Sequence, residues 1–291
     1  MLEWWEGFWS TYNTVVYSIG VNAMLALSIY ITLSCGLLSL ANAAFMGIGA
    51  YAGAMISMNT GLPFPVALLA GGILPALVAL IIGIPTLRLS GVYLAMATLG
   101  FGEVVRVIVL NLESTGGPMG LNGIPLLTEF WHVVLLLAIT LFLLARLRRS
   151  KIGRAFEAIK ADEVAARLMG INVAGYKLLA FVMGAVIAGV AGVLNAHFTF
   201  TIGPNNYAFE NAVEILTMAV FGGTSNLIGP TLGATILTLL PEALRNLKDY
   251  RSAVNGLILI LVILYLPKGL WDPRRIRAMW RRNPPPAGKD N

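Results

Sequence analysis

Residues 7–87 contain no Asp, Glu, Lys or Arg. A water-soluble domain carries about 25% charged residues. A bilayer core instead asks for roughly 20 consecutive apolar residues per crossing helix. The run is therefore long enough to hold more than one crossing. Further uncharged runs occupy 89–102, 130–145, 178–209, 215–241 and 252–267. Over the whole chain 57% of residues are hydrophobic and 12% are charged, about half the soluble norm. The expected fold class is all-α: a polytopic membrane protein.

Glycine and proline punctuation divides the chain into about nine predicted crossings. Five precede the basic stretch, near 13–33, 36–58, 63–83, 91–111 and 128–146, and four follow it, near 176–199, 208–221, 227–244 and 253–267. The seventh is short, and Gly222-Gly223-Thr224-Ser225-Asn226 reads as a break, so the seventh and eighth fit broken or re-entrant segments. Lysine and arginine concentrate at 146–177 and 268–289, with only Arg88 and Arg106 before them. The formal charge of +6 is thus topology information rather than a nucleic-acid surface. The positive-inside rule puts both basic clusters, and the C-terminus, in the cytoplasm. Counting crossings from either cluster agrees with this, while Arg245, Lys248 and Arg251 fit it badly.

Cys35 is the single cysteine, so no internal disulfide forms, and its apolar surroundings predict a buried inert thiol. The N-terminal Met1-Leu2-Glu3-Trp4-Trp5-Glu6 lacks the basic residue of a cleaved signal, which predicts that the first segment stays as a span. His132 and His197 are isolated, and no metal or catalytic grouping is expected from them.

The polar stretch 151–170 is helix-favouring and bounded by glycines. Arg154, Glu157, Lys160, Glu163 and Arg167 recur at spacings of three or four and predict a charged stripe winding round a helix. Ile152, Ala155, Ile159 and Ala166 fall on another side, and Ala155, Ala158, Ala165 and Ala166 leave room for a close surface. An ordinary solvated helix resting on the bundle satisfies the same pattern.

The ordered motif Gly153-Arg154-Ala155-Phe156-Glu157-Ala158-Ile159, then Asp162, Ala165-Ala166 and Gly170-Ile171, resembles the cytoplasmic coupling loop of bacterial ABC importer permeases. The resemblance runs from about Val21 to Leu270 and points to permeases of branched-chain amino acid (LIV-type, LivM-like) ABC transporters. It is carried by Ser39 to Tyr51, by Ser90-Gly91-Val92-Tyr93 through Glu103 and Arg106, by Thr115 to Pro125, by Ala219 to Pro230, and by Pro267-Lys268-Gly269-Leu270. The family often has Gly-His where this chain has Ala41-Asn42, so a role tied to that histidine does not carry over.

The resemblance implies a transmembrane permease domain over 1–270, with its coupling segment at 151–170, and a cytoplasmic basic, proline-rich tail at 271–291. It implies a bacterial or archaeal plasma membrane location. The implied partners are a second permease subunit, ABC ATPase subunits, an extracytoplasmic solute-binding protein and membrane lipid. The candidate ATPase-coupling residues are Arg154, Glu157, Ala158, Asp162, Ala165 and Gly170.

No Gly-x-x-x-x-Gly-Lys-Ser/Thr loop occurs in the chain. ATP and Mg²⁺ are therefore expected on partner subunits, with no cofactor bound by this chain and no enzymatic site of its own. Glycines 47, 49 and 53, and the Ala185/Gly189 and Ala188/Gly192 pairs, read as close helix packing. The substrate-pathway candidates are the broken places: Ser39, Asn42, Thr115, Gly116, Gly117, Gly222 and Gly223. The intramembrane charges are Glu103 and Arg106, three apart and able to pair, and Glu210 and Glu214, one turn apart. Two alternatives stay open: a permease of the same family for urea, short amides or other small polar solutes, and an ion-coupled secondary transporter or channel using these four charges.

Overall fold

The computed structural model describes residues 2–243. The predicted ninth crossing, the residues Arg245, Lys248 and Arg251, the Pro267–Leu270 motif, the second basic cluster and the 271–291 tail lie outside the described residues.

Helix α1 (Leu2–Ser34) is followed by α2 (Asn42–Thr60), α3 (Phe64–Thr86), α4 (Gly91–Asn111) and α5 (Phe130–Arg149). Two short polar helices come next, α6 (Lys151–Ala161) and α7 (Glu163–Leu168). Then follow α8 (Val173–Thr199), α9 (Phe209–Gly222) and α10 (Ile228–Ala243). The only strands among the described residues are β1 (Leu121–Asn122) and β2 (Thr201–Ile202), an antiparallel pair tying the loop after α4 to the loop after α8.

Five helices are long and apolar enough to cross a membrane: 13–34 of α1, then α3, α4, α5 and α8. The fold is an all-α membrane bundle. Helix α9 has 14 residues, about 21 Å, and falls short of a hydrocarbon core of about 30 Å. It folds back on α10 as an antiparallel pair, and a Cβ on Gly222 would strike the Gly229 carbonyl.

The predicted second crossing begins later than its hydropathy indicated. Gly36, at φ +76°, turns the chain out of α1, and residues 37–40 run without helical structure before α2 starts at Asn42. Helix α2 is rich in Gly and Ala and lies deep in the bundle, packed on α3 and α8. A helix enclosed by protein has no need of the strongly apolar exterior that lipid demands.

Helix α8 is the axle, packed against α1, α2 and α3. A Cβ on Gly49 would meet the Gly189 backbone, one on Gly189 would meet the Gly71 carbonyl, and one on Gly192 would meet the Met46 carbonyl. Three helices therefore touch backbone to backbone, and only hydrogen fits at those points. Large apolar side chains on α3, α4 and α5, such as Ile81, Val104 and Phe142, point outward from the bundle.

Candidate functional site

The basic end of the bundle is built by three side-chain caps. Ser150 accepts at Oγ from the Ile152 (3.1 Å) and Gly153 (3.4 Å) N–H groups and starts α6 directly after α5. A Cβ on Gly153 would come within 2.5 Å of the Leu147 and Arg148 carbonyls, so this corner admits only glycine. Asp162 accepts at Oδ1 from Val164 (2.9 Å) and Ala165 (3.0 Å) and starts α7. Asn172 accepts from Gly175 (3.1 Å) and starts α8.

The predicted single helix over 151–170 is thus two helices. Asp162 leaves the helical backbone (φ −158°, ψ 111°), because its carboxylate satisfies the free N–H groups of a new N-terminus. The stripe Arg154–Glu157–Lys160 does not continue into Glu163 and Arg167. One side of the segment rests on the bundle: Gly153, Ala155, Phe156, Ile159 and Ala166 are buried. The other side is open, carrying Arg154 and Glu157, with Ala158 half-buried, Ala165 exposed, and Gly170 exposed at φ +80°.

Arg154 donates to the Arg149 carbonyl (3.3 Å), and Glu157 stands 3.8 Å from Arg148. Arg148 also donates to Asn226 Oδ1 (2.6 Å), which fixes the α9–α10 turn at this basic end. Partial desolvation by its neighbours pulls the ammonium of the largely exposed Lys160 below the usual lysine value.

The interior candidates sit where α1, α2 and α4 meet. Ser39 and Asn42 are buried. Ser39 accepts at Oγ from the Ala41 N–H (3.2 Å), and Asn42 donates to Ser28 Oγ on α1 (2.8 Å). The Leu40 N–H donates to Thr98 Oγ1 on α4 (3.0 Å). Side chains thereby satisfy a non-helical stretch inside the bundle, as irregular backbone there requires. The irregular backbone is residues 35–41, whereas 42–49 is helical.

Nearby lies a crevice lined by Ala44, Leu99, Gly102, Glu103, Tyr207 and Ala212. Among the described residues the buried hydroxyls of Tyr207 and Tyr51 find no hydrogen-bond partner, and the two rings meet edge to face at 6.0 Å. Leaving such a group unpaired costs about 1–3 kcal/mol.

At the opposite end, Arg106 Nε donates to Glu103 (2.8 Å) and Arg106 Nη1 donates to Asn205 (3.2 Å). Thr115 donates to the Val109 and Leu112 carbonyls (both 2.7 Å) and closes the turn after α4. A Cβ on Gly116 would strike the Gly120 carbonyl, and Gly117 also has positive φ (+56°). These residues lie beyond the end of a complete crossing helix, not within one. Gly222 and Gly223 end α9, likewise at a helix terminus. Glu210 and Glu214 are exposed on α9, Glu210 in its first turn, where the helix dipole favours an acid.

His197 is fully buried and donates from Nδ1 to the Val193 carbonyl (2.9 Å), so its Nε2 accepts from Ser57 Oγ (2.8 Å). Among the described residues no three His, Cys, Asp or Glu side chains converge for a metal.

The family model described as "Branched-chain amino acid transport system / permease component" matches residues 11–264. The chain belongs to that family. It is 33% identical over 88% of its length to the high-affinity branched-chain amino acid transport system permease protein LivM of Salmonella typhimurium, covering 67% of that protein. LivM of Escherichia coli matches equally. LivH of Escherichia coli is 38% identical over 48% of the chain and 45% of its own length. No solved structure matches the chain.

The permease is a multi-pass membrane transport subunit. Its structure brings Glu103 and Arg106 together as an ion pair and gathers the coupling candidates on one polar segment. The pathway candidates are spread between the interior and both ends. Two groups escaped sequence reading. Val164 and Leu168 (84% exposed) on α7, with Met169 (83% exposed) just after it, form an open apolar knob. Glu163 accepts from Lys177 at Oε2 and from Arg167 at Oε1, both at 2.6 Å. Those bonds hold its carboxyl below the usual carboxylate value, Lys177 contributing most. The available signal was Lys177 itself, a lone cation immediately before the uncharged run 178–209.

Proposed function

We propose that the chain is the membrane-spanning subunit of an ATP-binding-cassette importer that moves branched-chain or related amino acids by alternating access. The carrying observation is the α6–α7 segment, buried along one side and open along the other at the basic end of the bundle. A polar surface of that kind on a transport subunit suits a protein partner, and the partner is an ABC ATPase that binds ATP and Mg²⁺ itself. Arg154, Glu157, Ala158, Asp162, Ala165 and Gly170 belong to this docking segment. The names of the LivM and LivH relatives supply the cargo.

The permease works beside a second permease chain and receives solute from an extracytoplasmic binding protein. It lies in the bacterial or archaeal plasma membrane, with its basic end and C-terminus cytoplasmic. The permease domain spans 1–270 and the tail 271–291. Solute passes between α2, α4 and α9, near Ser39, Asn42 and Glu103, where Tyr207 offers a polar contact without a full charge.

The test is reconstitution with the cognate ATPase, second permease and binding protein in vesicles. Leucine-like solutes are expected to enter only with ATP, and charge reversal at Arg154 or Glu157 reduces uptake while insertion persists. Uptake by the chain alone on an ion gradient overturns the assignment, and preferential uptake of urea or short amides overturns the cargo.

A further inference from the structure

Helix α7 is closed off from α8 by its own backbone. The Met169 and Ile171 N–H groups return to the Ala165 and Ala166 carbonyls (both 3.1 Å), and Gly170 follows at φ +80°. The covalent path from α7 to α8 is therefore a short turn containing a glycine, a poor lever for passing force. Across that turn lies one charged contact. Lys177 is buried, at 7% exposure, in the second turn of α8, and its ammonium donates to Glu163 at the first position of α7. Arg167, one turn along α7, occupies the other carboxylate oxygen and fixes the rotamer.

A buried ammonium keeps its charge only beside an anion, so parting α7 from α8 exposes an uncompensated ion. Beyond Lys177, α8 presses Gly184 against the Ser28 carbonyl, Gly189 against Gly71, and Gly192 against Met46. Contacts so close transmit displacement rather than absorb it.

We propose that Glu163 is a positioning residue that clasps α7 to the foot of α8 through Lys177, so that movement imposed on the α6–α7 segment reaches α1, α2 and α3 through α8. The proposal rests on the reading of α6–α7 as the ATPase-docking segment. Cys35, the single cysteine of the chain, is fully buried next to Gly36, where a Cβ would meet the Lys160 backbone of α6 at 3.4 Å, and serves as a native reporter of whether the α6–α7 segment stays seated.

The experiment uses the full chain in membrane vesicles with its partner ATPase. Glu163→Gln keeps insertion, ATPase co-purification and ATP hydrolysis within about twofold, lowers solute uptake at least tenfold, and raises N-ethylmaleimide labelling of Cys35 at least tenfold. Glu163→Lys alone behaves as badly, whereas Glu163→Lys combined with Lys177→Glu and Arg167→Gln, which removes the second cation facing position 163, restores uptake to within about threefold. A merely structural loss would lower insertion and ATPase co-purification as well, both of which Glu163→Gln keeps.

Uptake and Cys35 labelling that both stay within twofold in Glu163→Gln overturn the clasp. Lost ATPase co-purification with Cys35 still protected also overturns it, because Glu163 is then a docking contact. If the wild-type chain itself fails to retain an ATPase, the docking reading fails. The labelling comparison in ATPase-free vesicles then decides the clasp by itself.

Discussion

Helices α5 and α8 have the same mean hydropathy, 2.2, yet 17% of the α5 window is buried inside the bundle against 56% of the α8 window. Both are apolar enough to cross, and hydropathy says nothing about which is inside. Side-chain size does. Helix α8 carries Gly184, Ala185, Ala188, Gly189, Ala191 and Gly192, all buried, whereas α5 turns Trp131, Leu135, Ile139, Phe142 and Leu143 outward. Lipid tails are as apolar as leucine, so apolarity alone draws no two helices together. Close packing of small residues and polar bonds does that.

The harshest way to break this comparison is Gly189→Leu, which drives a side chain into the Gly71 carbonyl and the Pro75 ring. Overpacking of this kind costs about 3 kcal/mol. Fluorescence size-exclusion should show little folded protein, and a normal elution peak would dismiss α8 as the axle.

Next comes Ser57→Ala, which leaves His197 Nε2 buried without its donor, at about 1–3 kcal/mol. A thermal-stability scan checks it, and an unchanged melting temperature would mean that the α2–α8 contact rests on shape alone.

The clasp predicts a pH signature. The Glu163 carboxyl lies below its usual 4.5 because of Lys177 and then Arg167. A lowered carboxylate stabilises the fold fully above the unfolded value, and this is lost as pH falls through the folded value. The melting-temperature gap between wild type and Glu163→Gln should stay constant from neutral pH to about 5 and shrink on further acidification. A gap that closes between pH 8 and 6 would assign it to another group.

Smaller still, Arg148→Ala removes an exposed pairing with Glu157 and a bond to Asn226, worth about 0–1 kcal/mol. At the bottom stands Leu135→Ala on the outward face of α5, expected within about 0.5 kcal/mol. A cost at Leu135 equal to that at Gly189 would erase the distinction between axle and shell.

Much of the fold was legible along the chain. Lack of charge announced the membrane, basic residues marked one end, and small residues at helical spacing marked the packing face. The candidate site was legible only in part. Asp162 read as one member of the coupling motif, and its role as a cap emerged from its backbone angles. Thr115 to Gly117 and Gly222 to Gly223 read as breaks inside the membrane, yet they close helix ends. Glycine permits both uses, and neighbouring residues do not distinguish them.

By itself, the sequence determined that this chain is a helical membrane protein with a polar segment at its basic end, because hydropathy and charge are properties of consecutive residues. Tertiary structure decided the pairings: Lys177 with Glu163, His197 with Ser57, Arg148 with Asn226. Each joins residues 14 to 140 positions apart. Such partners are chosen by which helix faces come together, and that depends on the packing of every helix at once.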